Sequence, residues 1–327
     1  MTNSQFSLLC GAILAGSALL AGGNVLLVRS ARVTPPDQRT RIAMIPRFNG
    51  DPYFVSCREG AEEAARELDV HLVWQGPNAP DSTAQCQILE TWLDRRVDAI
   101  AVAASEPYGV SVLLRKARGM GIPVVTWDSD ARPDARDIFV NPVDAGKTAQ
   151  LLAAEAAELV DGKGEIAALS SASVSLLDAF RAGLADRHAA AKISTTPLAG
   201  DNGDDAFREA REFLRASPAP KLIVAFSPMA VGGAAEAVLL SRRKNVWVIG
   251  AGLPAAGRRY LDSGVTPLLV HWEPRDLGYL SVYVAAGLAR HKLNPAMDSF
   301  VAGRLGKRDF CDGEIVLGPP VVIRPHP

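Results

Sequence analysis

The sequence lacks any pattern of cysteine and histidine residues that would bind a metal ion or build a disulfide framework. Three of its four cysteines lie beyond the N-terminal region, at Cys57, Cys86 and Cys311, with no CxxC spacing and no histidine nearby. The five histidines are scattered along the chain. We therefore predict no metal site and no disulfide, and we expect the three cysteines to behave as small buried apolar residues.

A dominant charge is also absent. The chain carries 35 basic and 36 acidic residues, which gives a formal net charge of -1. Binding to a phosphate backbone normally needs a strongly basic surface, so we expect no nucleic-acid partner. With 327 residues, of which 48% are hydrophobic, the chain is long enough to fold around two moderate cores.

Motifs of the common enzyme classes are missing as well. The sequence contains neither a G-x-S-x-G nucleophile elbow nor a phosphate-binding GxxxxGK loop, and the GxG at Gly119–Gly121 precedes a predicted strand instead of following one. We therefore predict no catalytic residues, no cofactor and no enzymatic activity. A transcription regulator is also disfavoured, because an apolar run stands where a helix-turn-helix would have to precede residue 41.

That apolar run is the first positive feature of the sequence. Residues 8–28, LLCGAILAGSALLAGGNVLLV, contain no charge, and a helix of about 20 apolar residues can cross a bilayer. The preceding MTNSQF has no Lys or Arg, unlike a usual signal peptide, whereas Arg29 and Arg32 follow the run. We assign residues 1–32 to a signal peptide or an N-terminal anchor; a buried core helix is the alternative.

From residue 41 onwards, short β-branched runs alternate with amphipathic helical stretches. The predicted strands cover residues 41–46, 70–74, 97–103, 122–127, 137–141, 165–170, 192–198, 221–226, 245–250 and 265–272. Repeated βα units predict an α/β fold with parallel, doubly wound sheets covered on both faces. Because the second half repeats the arrangement of the first, we expect two lobes joined by crossover hinge strands.

The long helix after residue 273 exceeds what a second lobe of matching size requires, so we expect the chain to cross back to the first lobe there. The predicted lobes are residues 41–141 plus 266–292, and residues 142–265 plus 300–327, with the tail partly in the hinge. We place the hinges near Asn141, Thr266 and Val301.

Ligands of doubly wound folds bind outside the carboxyl ends of the strands. The residues that follow those ends combine a guanidinium, carboxylates, hydroxyls and aromatic rings. The predicted ligand-binding residues are Arg47, Tyr53, Phe54, Asp128, Asp130, Ser227, Pro228, Trp272 and Glu273. Charged groups form short hydrogen bonds with vicinal hydroxyls, and rings cover the C–H faces of a sugar, so a small neutral polyol or sugar fits this set.

Each of these residues also has a structural alternative. Asp128 and Asp130 can serve as turn or helix-cap acids, and Arg47 can pair with one of them. Tyr53 and Phe54 can belong to the core at the start of a helix. Trp272 and Glu273 can simply end a hinge strand, and Ser227 and Pro228 can equally have a structural role.

The chain from about residue 41 to the end resembles the periplasmic sugar-binding proteins of ABC importers, the type I, ribose-binding-like group. The branch that binds a furanosyl autoinducer and the rhamnose-binding proteins are the most similar. The segments that carry the resemblance are RIAMIPRFNGDPYF, GAEEAARELDV, WQGPNAPDSTAQ, IPVVTWDSDARPDARDIFVN and HWEPRDLGYLSVYVA.

The resemblance implies a monomeric periplasmic protein that binds a sugar-like ligand between its lobes and delivers it to an ABC permease in the inner membrane. The implied ligand contacts are Arg47, Tyr53, Phe54, Asp128, Trp272 and Glu273. A membrane-anchored sugar or autoinducer sensor without a transport role is the alternative function. Either way, closure of the two lobes around the ligand would be the signal that a membrane partner recognises.

The chain departs from the family pattern at three places. Leu176 and Leu177 stand where the family usually has an acid and an amide, Glu273 replaces the usual Asp, and Arg47 replaces the frequent Lys. A planar guanidinium binds differently from an ammonium, and leucines cannot bind hydroxyls. We therefore expect this chain to contact a different set of hydroxyls.

Overall fold

The computed structural model describes residues 38–161, 164–170, 174–186, 192–197 and 202–325. The predicted leader or anchor, residues 1–32, lies outside them. Among the described residues, none of the helices combines the length and apolar character that crossing a membrane requires.

The described chain alternates strands and helices. The strands are β1 (Arg41–Ile45), β2 (His71–Trp74), β3 (Ala99–Val102), β4 (Val124–Trp127), β5 (Ile138–Asn141), β6 (Glu165–Ser170), β7 (Lys192–Pro197), β8 (Leu222–Ala225), β9 (Trp247–Ala251), β10 (Leu269–His271), β11 (Ser299–Val301), β12 (Lys307–Asp309), β13 (Glu314–Val316) and β14 (Val321–Ile323). The helices are α1 (Pro52–Leu68), α2 (Ser82–Asp94), α3 (Pro107–Gly119), α4 (Ala145–Leu159), α5 (Val174–Ala185), α6 (Gly203–Arg215), α7 (Pro228–Ser241), α8 (Pro254–Asp262) and α9 (Pro274–Ala289).

The strands form two six-stranded sheets and one short hairpin. The first sheet has the order β13-β5-β4-β3-β1-β2, and the second has the order β14-β10-β9-β8-β6-β7. Every pair in the first sheet is parallel. In the second sheet only β14 runs antiparallel to its neighbour, β10. The predicted α/β fold with two doubly wound parallel sheets is confirmed.

Alternation along β1 shows why helices cover both faces of the first sheet. Ile42 and Met44 are fully buried in one apolar cluster with residues of α1 and α9. Ala43 and Ile45, which point the opposite way, are buried in another cluster with residues of α2 and α3. Successive side chains of a strand face opposite sides, so a continuous apolar run needs a cover on each side.

The three cysteines differ in their surroundings. Cys57 is buried, as predicted, whereas Cys86 is partly exposed and Cys311 is exposed. The prediction that all three are buried is wrong for Cys311, because it precedes the turn that leads into β13.

The chain returns to the first sheet through α9, and the strand pairings differ from the bounds of the predicted lobes. Helix α9 packs along α1. Strand β10, which we had assigned to the first lobe from residue 266 onwards, pairs with β9 in the second sheet. Strand β13, which we had assigned to the second lobe, pairs with β5 in the first sheet. We therefore place the second crossing after His271.

The third crossing also differs from the prediction. Val301 ends β11, which forms a hairpin with β12 outside the two large sheets. The chain passes from the first sheet to the second between β13 and β14, through residues 317–320, LGPP. The first crossing follows Asn141, where β5 ends, and leads into α4, which packs on the helix α5 beside the second sheet.

Helices α1 and α9 approach each other so closely that only glycine fits at two positions. A Cβ atom on Gly60 would lie 1.8 Å from the backbone oxygen of Arg275, and one on Gly278 would lie 1.8 Å from the backbone oxygen of Cys57. Because both clashes are with backbone atoms, the helices themselves would have to separate.

Replacing Gly60 with alanine is therefore expected to lower the free energy of unfolding by about 1–3 kcal/mol, the usual cost of overpacking. Urea denaturation measures the loss. Gly232→Ala in α7 is the matched control, since nothing lies within 4 Å of its added Cβ, and alanine there should raise stability by up to about 1 kcal/mol. Equal effects of the two substitutions would contradict this account of the helix contact.

Candidate functional site

The loop after β1 and the start of α1 supply the first part of the site. The Asp51 side chain caps α1 by accepting a hydrogen bond from the Tyr53 backbone N–H at 2.9 Å. This cap fixes the first helical turn, which places Tyr53 and Phe54 beneath Arg47. Tyr53 is 5% exposed and Phe54 is 1% exposed, so both rings are largely enclosed.

Arg47 and Asp128 meet at the carboxyl ends of β1 and β4. The Arg47 Nε lies 4.0 Å from the Asp128 Oδ2, and the Arg47 guanidinium carbon lies 5.7 Å from the centre of the Phe54 ring. Asp128 adopts a left-handed backbone conformation with φ of 62°. Such a conformation is uncommon for residues other than glycine, and it turns the chain away immediately after the buried strand β4.

Tyr53 connects this pair to the segment after β10. The Trp272 Nε1–H donates a hydrogen bond to the Tyr53 hydroxyl oxygen at 3.0 Å. Burial raises the pKa of Tyr53 well above its ordinary value of 10.0, and the nearby Asp128 charge raises it further. Tyr53 thus lies between the Arg47–Asp128 pair and Trp272.

The raised pKa of Tyr53 predicts an alkaline loss of stability. The unfolded chain ionises Tyr53 near pH 10, while the folded chain keeps it neutral, so the stabilisation is complete below about pH 10 and is lost as the pH rises towards the folded-state pKa. Between pH 10 and 11 the free energy of unfolding of the wild type should fall more steeply than that of Tyr53→Phe, as measured by urea denaturation.

Trp272→Phe controls for the hydrogen bond, because it removes the donor and leaves the titrating hydroxyl in place. It should lower stability at every pH and keep the steep alkaline fall. Parallel pH curves for wild type and Tyr53→Phe would contradict the role of Tyr53 ionisation.

Aromatic rings pack edge to face around Phe54. Its ring centre lies 5.3 Å from that of Tyr53, 5.6 Å from that of Trp127 and 6.1 Å from that of Phe48. Edge-to-face packing of this kind favours a fixed arrangement of the rings. Phe54 thus supports the site from below, while the partly buried Phe48 is the ring that reaches the cavity described next.

A cavity of about 290 Å³ lies above Arg47. Residues in its lining include Arg47, Phe48, Asp81, Ser105, Glu106 and Asn202. Asn202 caps α6, which packs beside the second sheet, whereas the other five precede or follow strands of the first sheet. The cavity is therefore bounded by both halves of the chain.

Five of these lining residues were missed from the sequence as site residues: Phe48, Asp81, Ser105, Glu106 and Asn202. Ser105 and Glu106 lie three and four residues after the end of β3, so the strand-end rule that selected Arg47 and Asp128 could have selected them too. Asn202 follows no predicted strand end closely. The sequence signal available for it is its place just before a helix, where Asn is a preferred N-cap residue.

The carboxylate of Asp130, a predicted ligand contact, is hydrogen-bonded to other groups of the protein. It accepts hydrogen bonds from the Arg136 Nε at 2.8 and 2.9 Å, from the Ala131 backbone N–H at 2.9 Å and from the Thr126 hydroxyl. These contacts favour the structural alternative for Asp130, so we leave it out of the proposed ligand set.

The remaining predicted residues sit at helix starts. Ser227 accepts a hydrogen bond from the Ala230 backbone N–H at 3.2 Å, and Pro228 is the first residue of α7. Glu273 caps α9 and lies 3.8 Å from the His271 Nε2. Trp272 and Glu273 line a second cavity of about 320 Å³. This second cavity shares no lining residue with the first.

The two leucines that depart from the family pattern lie in the second half's core. Leu177 is buried beside Phe180 and Phe226, and Leu176 packs against the same cluster. Both therefore contribute apolar contacts to α5. Within the described part of the chain, no group of three or more metal-binding side chains comes together.

Comparison with known proteins gives three findings. A family model described as a periplasmic binding protein domain matches residues 42–293. The ABC transporter periplasmic-binding protein YphF of Escherichia coli is 28% identical over 102 residues, which are 29% of this chain and 31% of that protein. The chain thus spans about a third of the length of this curated relative.

Solved structures match over nearly the whole described chain. An ABC transporter solute-binding protein from Clostridium phytofermentas, with bound L-rhamnose, superposes with a TM-score of 0.80 at 25% identity, covering 88% of this chain and 96% of that one. LsrB from Clostridium saccharobutylicum, in complex with AI-2, gives a TM-score of 0.78 at 18% identity, covering 87% and 97%. The second likeness shows the fold alone.

Proposed function

Because the chain belongs to the periplasmic binding protein family, we propose that it captures a small neutral sugar between its two lobes and delivers it to an ABC permease. Members of this family are extracytoplasmic binding proteins that work with such permeases. The observation that carries the proposal is the Arg47–Asp128 pair beside a cavity whose lining includes Asn202 from the other half of the chain.

The chemistry of the cavity suits hydroxyl groups. In the lining, Arg47 offers N–H donors and the Ser105 hydroxyl can donate and accept, while Asp128, which lies next to Arg47, offers acceptor oxygens. The Asn202 amide binds Asp205 through both of its groups and has a second N–H and a second lone pair for a ligand. Because the opposite charges of Arg47 and Asp128 lie 4.0 Å apart and offset each other, the pair needs no net charge from the ligand. A polyanion would meet Asp128 and Glu106 as like charges, and an apolar ligand would leave these carboxylates unpaired.

L-Rhamnose is the first candidate sugar. It is the ligand bound to the structural relative of 25% identity. A cavity of about 290 Å³ lies at the lower end of the volumes typical of ligand sites, which suits a monosaccharide better than an oligosaccharide. Phe48 at its edge would cover the less polar face of such a ring.

We propose closure of the lobes as the mechanism. The crossings at residues 142–144, 272–273 and 317–320 connect the two sheets. A ligand that touches Arg47 and Asn202 at once stabilises the closed arrangement, because the open one would break one set of contacts. A permease that recognises both lobe surfaces would then distinguish loaded from empty protein.

The remaining features follow from this proposal. The protein would act as a monomer in the periplasm and would bind its ligand without chemical conversion. Its N-terminal segment would serve for export or anchoring. A membrane-anchored sensor stays the alternative, but the matched relatives are named as components of ABC transporters, so transport is the function we propose.

A thermal-shift screen of the full chain tests the proposal. The panel contains L-rhamnose, other deoxyhexoses, pentoses, hexoses and furanosyl diols, with a sugar phosphate and a fatty acid as contrasting ligands. We expect a neutral sugar to raise the melting temperature of wild type and of the exposed-arginine control Arg115→Ala, but not of Arg47→Ala. Stabilisation by the phosphate or the fatty acid alone, or equal stabilisation of Arg47→Ala, would contradict it.

A further inference from the structure

Arg136 is a buried arginine that the ligand site does not use directly. Its side chain is only 5% exposed. The Nε donates to both carboxylate oxygens of Asp130, at 2.8 and 2.9 Å, and the Nη1 donates to the backbone oxygen of Gly313 at 2.9 Å. The Nη2 reaches the Glu314 Oε1 at 3.4 Å. One guanidinium thus joins the Asp130 loop to Gly313, which lies 177 residues beyond Arg136 in the sequence.

The first of these segments carries the candidate ligand contact. Asp130 lies two residues after Asp128, in the loop that leaves β4. The Asp128 backbone N–H also donates to the Val140 oxygen of β5 at 3.3 Å, so this loop rests on the strand next to β4. The position of the Asp128 carboxylate therefore depends on how firmly residues 128–131 are held.

The second segment leads into two crossings. Gly313 directly precedes β13, which begins at Glu314 and pairs with β5 in parallel register, Glu314 opposite Phe139 and Val316 opposite Asn141. Where the two strands end, the Leu317 N–H donates to the Asn141 oxygen at 2.9 Å. Two of the three connections between the sheets thus leave side by side, directly beyond the strand that Arg136 holds.

We propose that Arg136 is a positioning residue that fixes the Asp128 loop to β13, so that the carboxylate contacting the ligand and the segments that bend during closure move as one piece. The role of Arg136 in ligand binding rests on the proposed function, whereas the coupling between the Asp128 loop and β13 does not. Through such a rigid link, a displacement of Asp128 on ligand binding would also displace residues 317–320 and 142–144, the two neighbouring crossings.

Only arginine can make this link with one side chain. Its planar fork donates to a carboxylate along one edge and to a carbonyl along another, while a lysine ammonium is a single point that cannot reach both at these distances. Lysine should therefore keep the charge beside Asp130 and lose the bond to Gly313.

Hydrogen–deuterium exchange of the ligand-free full chain tests the coupling. In Arg136→Gln we expect exchange to be at least tenfold faster in two segments, residues 129–132 and 313–317, with the second sheet unchanged. Arg136→Lys should restore slow exchange in residues 129–132 and leave residues 313–317 fast. The control Arg118→Gln, an exposed arginine that pairs with Asp137 at 3.0 Å, should change neither segment.

Several results would overturn the proposal. Faster exchange in only one of the two segments of Arg136→Gln, faster exchange throughout the first lobe, or full rescue by lysine would each show that Arg136 has a general structural role. If Arg136→Gln does not fold, Asp130→Asn replaces it. This variant weakens the bonds between Arg136 and residue 130 and keeps the bond to Gly313, so it must speed exchange in residues 129–132 and leave residues 313–317 slow. Because no ligand is added, failure here is distinct from failure of the sugar screen.

Discussion

Replacing Asp128 with asparagine is expected to weaken sugar binding by about a hundredfold, or about 2.7 kcal/mol. The substitution keeps the shape of the side chain and removes the charge that faces Arg47 at 4.0 Å. Hydrogen bonds to charged groups contribute about 1.5–3 kcal/mol each, and a ligand hydroxyl between this carboxylate and the guanidinium would lose that contribution. Isothermal titration with the sugar that gives the largest thermal shift measures the loss.

Asp134→Asn is the matched control for this variant. Asp134 lies in the same loop, but it is exposed and pairs with Arg115 at 2.9 Å. Its replacement should change the dissociation constant by less than about twofold, in line with the small energies of exposed ion pairs. Similar dissociation constants for wild type and Asp128→Asn would remove Asp128 from the ligand site.

Replacing Gln85 with leucine is expected to cause the largest loss of stability. Gln85 is fully buried in α2. Its Nε2 donates to the backbone oxygens of Pro46 and Ala103 at 2.9 and 2.8 Å, and its Oε1 accepts from the Ser105 N–H at 2.9 Å. Leucine would leave these three backbone groups unsatisfied at about 1–2 kcal/mol each, so we expect roughly 3–6 kcal/mol of destabilisation.

Urea denaturation measures this effect, and Gln87→Leu on the exposed side of the same helix is the control, with an expected change within about 0.5 kcal/mol. Gln85 also holds together the loops that carry Arg47 and Ser105, so the variant should bind sugar more weakly at temperatures where it remains folded. A loss of stability below about 1 kcal/mol would show that water or nearby groups replace the glutamine.

The buried strands and the edge of the sheet where their ends meet could be predicted from the sequence, because hydrophobic periodicity and strand direction determine them. Uninterrupted apolar runs such as RIAMI identify strands buried on both faces, and parallel strands bring their carboxyl ends to one edge. Those two rules are enough to place Arg47, Asp128 and Trp272 in one cluster before any coordinates are known.

The missed features depend on pairings between distant segments, which a local pattern does not encode. Asp130 and Asp128 look equivalent in the sequence, yet Asp130 is bound by Arg136, whose other contact is Gly313 near the end of the chain. The third crossing was misplaced for the same reason, since β11 and β13 are both short apolar runs, and only β13 finds a partner in the first sheet.

Helix caps account for the remaining difference. Polar residues that precede a helix serve equally well as ligand contacts or as acceptors for the first free N–H groups. Ser227 and Glu273 accept such hydrogen bonds, at 3.2 Å from Ala230 and 3.2 Å from Arg275 respectively. The sequence shows the residue type, and only the surrounding geometry shows which role it takes.

A crystal structure of the full chain with the sugar that gives the largest thermal shift tests the central claim most directly. We expect the sugar in the cavity above Arg47, with hydroxyls bonded to Arg47 and Asp128 on one side and to Asn202 on the other. A sugar bound instead in the cavity of about 430 Å³ beside Arg118 and His291, without contact to Arg47 or Asp128, would contradict the account.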